Sequence, residues 1–234
     1  FKQKTAYEIM PSLVGSEMCI RDRCSITTDQ DNNQITAFHP GAMGEAHQNK
    51  VADAANISLG IVAPDGRDAM LQHSRDFAAL GIPFMFDPGQ NLPLFSKDEL
   101  LTCIDQATWC VMNDYESQLM MKITELTLDD IASQVDALIV TQGGEGSRIY
   151  AGDKSIDIPA ASIQAAVDPT GCGDAFRAGL LYGLNCGWDW ETSGRAASLV
   201  GAIKVESQGT QNHHFTQDQF QTRFEENFGY RMVT

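Results

Sequence analysis

The sequence predicts an α/β fold built on a mostly parallel sheet with helices on both faces. Three observations predict it. Short apolar runs such as ALIVT at 137–141 read as strands buried on both sides. They alternate with longer segments whose apolar residues recur at helical spacing. Polar residues gather where the strands end: Asp87, Asn113, Thr141 and Asp168 all fall at predicted strand termini. Sheets of this kind bind ligands beyond the carboxyl ends of their strands.

Each element has a local reason. CSITTDQDNNQITAFHP, from Cys24, reads as strand, turn, strand, with Asp31-Asn32-Asn33 supplying the turn. ISLGIVAP (57–64) is an apolar strand, and DAMLQHSRDFAALG (68–81) a helix closed by Gly81. IPFMFDPG (82–89) is a strand running into a turn. SKDELLTCIDQA starts a helix at Ser96 with Glu99 three residues on, a capping box. TWCVMND is a strand, YESQLMMKI and LDDIASQV are helices, and ALIVTQGG is a buried strand. SRIYAG and SIDIPA make a hairpin around Gly152-Asp153, and three helices follow.

The bulk composition, 43% hydrophobic and 20% charged over 234 residues, fits one large α/β domain or two small ones. A net charge of −15 repels nucleic acid and anionic membranes, so neither is an expected partner. No apolar run approaches the ~18 residues of a membrane span. The six cysteines, at 19, 24, 103, 110, 172 and 186, include no C-x-x-C pair. Scattered thiols point to a reducing, cytoplasmic setting. The histidines show no metal-ligand spacing.

Residues 1–23 lack a convincing period and the continuous apolar core of a signal peptide. Back-translation of Lys2 to Ile9, and of Leu13 into Arg23, allows two parts of a common sequencing-library adapter, in one frame and in order. The expectation is a non-native segment at 1–23 followed by the N-terminally incomplete remainder of a domain at 24–234, of which 24–43 is a hairpin remnant.

The chemistry centres on VDPTGCGDAFRAGLLYGL, Val167 to Leu184. It matches neither G-x-x-x-x-G-K-[ST] nor G-x-G-x-x-G, since Phe176 stands at the last position of the latter. The Gly171-Cys172-Gly173 turn still offers backbone N–H groups at a helix start, a nest for developing phosphoryl charge. Asp174 is either a helix cap or a base that takes a proton from a hydroxyl attacking phosphorus. Arg177 either meets a phosphate or forms an ion pair.

DPTGCGDAFRAG resembles the C-terminal signature of the PfkB, or ribokinase-like, small-molecule kinases, D-T-x-G-A-G-D with D-A-F-x-x-G following. NDYE (113–116) is similar to the family's N-x-x-E element, and VTQGGEGS (140–147) to its nucleotide loop. The resemblance implies a three-layer α/β/α domain, ATP as donor, Mg²⁺ as required ion, and a sugar or nucleoside hydroxyl as acceptor. NQITAFHPGAM and GTQNHH look most like adenosine-kinase-like members. By position, Asp174 becomes the catalytic base and Gly171, Cys172 and Gly173 the anion hole. Asn113, Thr141, Gly143, Gly146 and Asn212 face ATP, and Glu116 holds Mg²⁺ through water. Asp168 and Thr170 would border a monovalent cation, K⁺. A homodimer is compatible with the resemblance.

Two departures stand out. Asp87-Pro88-Gly89-Gln90 lies where many relatives carry D-x-N-x-R, and without the arginine no phosphate contact is assigned there. The family's early G-G-x-x-N element has no counterpart, so the sheet is expected to be incomplete at its N-terminal side with an unpaired edge. His39-Pro40-Gly41 is a candidate for the substrate lid. The rival readings are a sugar kinase and a non-catalytic nucleotide-binding fragment.

Overall fold

The computed structural model describes residues 23–28 and 34–232. The adapter-like segment up to residue 22 and the Asp31–Asn33 turn lie outside the described residues. A separate two-stranded antiparallel ribbon, β1 (Arg23–Thr28) and β2 (Gln34–His39), pairs Arg23 with His39 through Thr28 with Gln34. The main sheet then runs β3 (Gly60–Val62), β4 (Phe84–Phe86), β5 (Trp109–Asn113), β6 (Ala137–Thr141), β7 (Ser147–Ala151) and β8 (Lys154–Ile158), in sequence order. β3 to β6 run parallel to one another; β7 and β8 add an antiparallel hairpin at one edge.

Helices α1 (Arg67–Leu80), α2 (Lys97–Gln106), α3 (Asp114–Thr124) and the short α4 (Leu128–Ala132) fill the crossovers between parallel strands. They cover one face, where Met70, Phe77, Leu100, Ile104, Met120 and Ile131 pack on Phe84, Phe86, Cys110, Met112, Leu138 and Val140. The alternate strand residues, Met85, Val111, Ala137 and Ile139, face the other way onto Phe176 and Leu180 of α5 (Cys172–Asn185) and Ala197 of α6 (Trp190–Val205). That period-two split of wholly apolar strands is what three layers require. A third cluster seats α7 (Gln217–Phe228) on α6 through Phe224, Leu199 and Ile203. Each large side chain that becomes fully buried in this way contributes roughly 1.5–3 kcal/mol.

The capping box at α2 forms as expected, with the Ser96 N–H donating to Glu99 Oε2 at 2.9 Å. Two elements are shorter than expected. The strand expected at 57–64 pairs only over Gly60–Val62, because its partner is bracketed by Pro83 and Pro88, which have no N–H to give. The helix expected at 128–135 stops at Ala132, where the Gln134 N–H turns to Ile131 O at 3.1 Å and the Ser133 hydroxyl donates to Asp130 O at 2.7 Å. Among the described residues β3 pairs only with β4 and forms one edge of the sheet.

The helix that carries the candidate site is held tightly. A Cβ at Gly179 on α5 would stand 2.8 Å from Ala197 Cα, and one at Gly183 would stand 2.6 Å from Ser193 Oγ. Small residues on facing ridges let α5 lie almost backbone to backbone on α6. That fixes where the first turn of α5 sits over the strand ends.

Candidate active site

The carboxyl ends of the parallel strands deliver the polar residues to one rim. Asn113 ends β5, Thr141 ends β6, and the two are register partners. Asp87 follows β4 directly, its N–H donating to Val62 O at 2.8 Å. The first turn of α5 brings Gly171, Cys172, Gly173 and Asp174 to the same rim.

Five helices (α2, α3, α4, α6 and α7) have a side-chain cap; α1 has none, and neither does α5. Its N-cap is Gly171 at φ 85°, a left-handed conformation that glycine adopts without strain. Cys172 donates its N–H to Pro169 O at 3.1 Å. Among the described residues the Gly173 and Asp174 N–H groups have no hydrogen-bond acceptor, which makes this end receptive to anions. Asp174 is the third helical residue, so it is not the cap. Its side chain is 77% exposed, and Oδ1 accepts from Arg177 Nη2 at 2.6 Å. The Cys172 thiol points to Asp168 O at 3.9 Å, and burial raises its pKa, so it is a filler of the turn and not a thiolate nucleophile.

Arg177 joins two carboxylates. Its Nε stands 2.8 Å from Oδ2 of Asp87, whose side chain is only 1% exposed. The contact pairs charges without a well-directed N–H···O line, so among the described residues neither Asp87 oxygen has a hydrogen bond of good geometry, though the Gly89 amide lies close enough to lower its pKa slightly. Burial drives the Asp87 carboxyl up to about 7; Arg177 opposes the rise, and the charges of Glu116 and Asp174 add to it. Four charged groups from β4, α3 and α5 thus act on one another at this rim. The guanidinium lies over Gly173, where a Cβ would come within 3.2 Å of Arg177 Nη1.

Asn113 and Glu116 form a reciprocal cap. Asn113 Oδ1 accepts from the Glu116 N–H at 2.7 Å, and the Asn113 N–H donates to Glu116 Oε2 at 2.8 Å. This turns the Glu116 carboxylate back toward the strand end. Thr141 leads into a tight turn closed by the Gln142 N–H donating to Gly146 O at 2.8 Å. Gly146 has φ 98°, and a Cβ there would lie 2.1 Å from Ile158 O. Gly143 and Gly146 therefore shape a loop pressed against β8.

The loop before α5 is tied to the loop after α6. Asp168 accepts from Thr170 N at 2.9 Å on Oδ1, and from Gly209 N and Gln208 Nε2, both at 2.9 Å, on Oδ2. The Thr170 and Gly209 N–H donors pull its pKa down to about 2. Asn212 folds back on the second loop, its Nδ2 donating to Gln208 O at 2.8 Å. Fully buried Lys204 reaches the same place, with Nζ 2.6 Å from Asp168 O.

The residues expected from sequence fall into three groups. Asp168, Thr170, Gly171, Cys172, Gly173, Asp174 and Asn212 lie on the two tied loops and the α5 start; Asn113 and Glu116 lie across the rim. Thr141, Gly143 and Gly146 form a self-contained turn with no side-chain hydrogen bond to α5 among the described residues. Sequence reasoning placed Asp87 at the ligand-binding strand ends but assigned it no phosphate contact, and left Arg177 open. The signals were a carboxylate at a strand end and an arginine three residues past Asp174; the pairing needs the fold. Lys204, within the apolar run A-I-K-V, gave no signal. Among the described residues no helix is long and apolar enough to cross a membrane, and no group of three or more His, Cys, Asp or Glu could cage a metal.

The fold is shared with known proteins. The pfkB family carbohydrate kinase profile matches residues 19–217. A nucleoside kinase of Methanocaldococcus jannaschii is 38% identical over 201 residues, covering 86% of this chain and 66% of that protein. A nucleoside kinase of Methanothermobacter thermautotrophicus is 32% identical over 208 residues, 88% of this chain and 67% of its own length. The chain thus spans roughly two thirds of these relatives. The solved nucleoside kinase of Burkholderia thailandensis in complex with inosine superposes with a TM-score of 0.88 at 51% identity, covering 90% of this chain and 70% of that one. The same enzyme has been solved with ADP-inosine, at a TM-score of 0.87.

Proposed function

Because the chain belongs to the pfkB family of carbohydrate kinases, we propose that it is the phosphoryl-transfer part of an ATP-dependent nucleoside kinase. The observation that carries this is the first turn of α5: an uncapped helix start beside Asp174, held by Arg177 at the carboxyl ends of the parallel strands. The nucleoside class rests on the relatives, and the purine among them on the inosine complex of the Burkholderia enzyme. Adenosine and inosine are the first acceptors to try. A sugar acceptor is the second reading, supported by 34% identity over 140 residues to the Bacillus subtilis ribokinase.

In this reading Asp174 takes the proton of the attacking hydroxyl. The N–H groups of Gly173 and its neighbours hold the charge that develops on the transferring phosphoryl group. Arg177 orients Asp174 through the 2.6 Å hydrogen bond. The Thr141–Gly146 turn and Asn212 border the nucleotide. Magnesium suits the rim: Glu116 is an oxygen donor turned to the strand end, and an ion held through water and phosphates needs no protein cage. When bound, it would neutralise phosphate charge. Potassium does not suit the 168–170 loop, because the Asp168 oxygens already face N–H donors and an ammonium. A homodimer belongs to the same reading: β1 and β2 pair with no other strand among the described residues, Phe38 is exposed, and a lone ribbon is marginal in water.

The test is transfer from Mg-ATP to a panel of nucleosides and sugars by the protein extended upstream to the length of its relatives, with ADP binding measured alongside. Transfer to a nucleoside supports the proposal. Transfer to sugars alone supports the second reading, and ADP binding without any transfer supports a non-catalytic nucleotide-binding module.

A further inference from the structure

We propose that the Lys204 ammonium is a built-in monovalent cation beneath the phosphate-binding turn, standing where a potassium ion would otherwise be needed; this rests on the kinase reading above. Lysine is almost never fully buried unless its charge is satisfied. Lys204 is fully buried, has no carboxylate within ion-pair distance among the described residues, and donates to two backbone carbonyls, Asp168 O at 2.6 Å and Ser207 O at 3.4 Å. Main-chain carbonyls around a monovalent positive charge are the surroundings that suit a potassium ion. Here a side chain supplies the charge.

The two carbonyls belong to the two loops that build the site. The loop before α5 is bound to the end of α6 by the Val167 and Asp168 N–H groups, both donating to Val205 O, at 2.8 and 3.0 Å. It is bound to the loop after α6 by Asp168. Gly171 then packs on Thr210, where a Cβ would stand 3.3 Å from Thr210 Cβ. Lys204 sits at the centre of this seam, in the last turn of α6, where positive charge also suits the helix dipole. Its field reaches both Asp168 and Cys172. It is a positioning residue: it holds the 168–171 backbone so that the amides of α5 are presented to phosphate.

The experiment compares thermal unfolding and ADP binding in KCl and in choline chloride at equal ionic strength, for the wild-type chain, Lys204→Ala and Lys204→Met. The wild type is expected to show the same Tm and ADP affinity in both salts. Lys204→Ala is expected to bind ADP about tenfold more weakly in choline, as for a lost charge-assisted hydrogen bond. Potassium or methylammonium should restore most of that affinity. A wild type whose Tm or ADP affinity rises with potassium overturns the proposal. So does Lys204→Ala binding ADP undiminished in choline, or recovering equally in any salt. If neither variant folds, the wild-type comparison still decides. If the wild type binds no ADP in either salt, the kinase reading fails by itself, and the Tm comparison judges the built-in cation.

Discussion

Asp87 is the residue of the candidate site whose protonation depends most on its surroundings. Its pKa is raised above the unfolded value near 3.8, to about 7. The folded state therefore binds the proton more tightly, and stability from this group is full below pH ~4 and lost as pH rises toward 7. The loss is on the order of 1–4 kcal/mol. Urea unfolding of wild type and Asp87→Asn at pH 5 and pH 8 should show a wild-type decline that the variant lacks; parallel declines would place the cost elsewhere. Arg177 couples this residue to the site. Replacing Arg177 by Met should unfasten Asp174 and lower turnover about tenfold or more, as loss of a charge-assisted hydrogen bond predicts, with ADP affinity changed less. Unaltered turnover would make the pair purely structural. The sequence announced Asp174 through its glycines, but Arg177 meets Asp87 only because β4 and α5 are brought to one rim.

At the scale of elements, legibility followed local chemistry. Capping boxes, the Gly152-Asp153 hairpin turn and the apolar strands of the parallel sheet could be read directly, since each is fixed by residues a few positions apart. The lengths of β3 and α4 could not, because pairing partners and prolines elsewhere decide them. The seating of α5 was equally hidden: Gly179 and Gly183 read as ordinary helix residues until α6 lies against them. Gly179→Ala should lower stability by about 1–3 kcal/mol through overpacking, read as a fall in Tm. Gly171→Ala forces an L-residue into φ 85° at a cost of about 1–2 kcal/mol and should weaken ADP binding along with stability. An unchanged ADP affinity would remove the α5 turn from the nucleotide site.

For the whole molecule, the sheet gathers what the chain scatters. Four parallel strands in sequence order put their carboxyl ends on one rim; the helix after β5 supplies Glu116 to it, and α5, which follows the β7–β8 hairpin, supplies Asp174. The family was legible from three short motifs because a backbone turn, a strand end and a helix start are each local. The nucleoside reading rested on the likeness of NQITAFHPGAM and GTQNHH, and the particular nucleoside was not legible, since no motif in the described residues reads a base. The central claim is that Asp174 is the base of phosphoryl transfer. It is tested most directly by comparing Asp174→Asn with the unmutated protein, both extended to the length of their relatives, in transfer from Mg-ATP to inosine and adenosine, with ADP binding measured in each. The account predicts turnover falling by about a hundredfold or more in the variant, the scale of general-base catalysis, while ADP binds as before. Undiminished transfer by Asp174→Asn would contradict it.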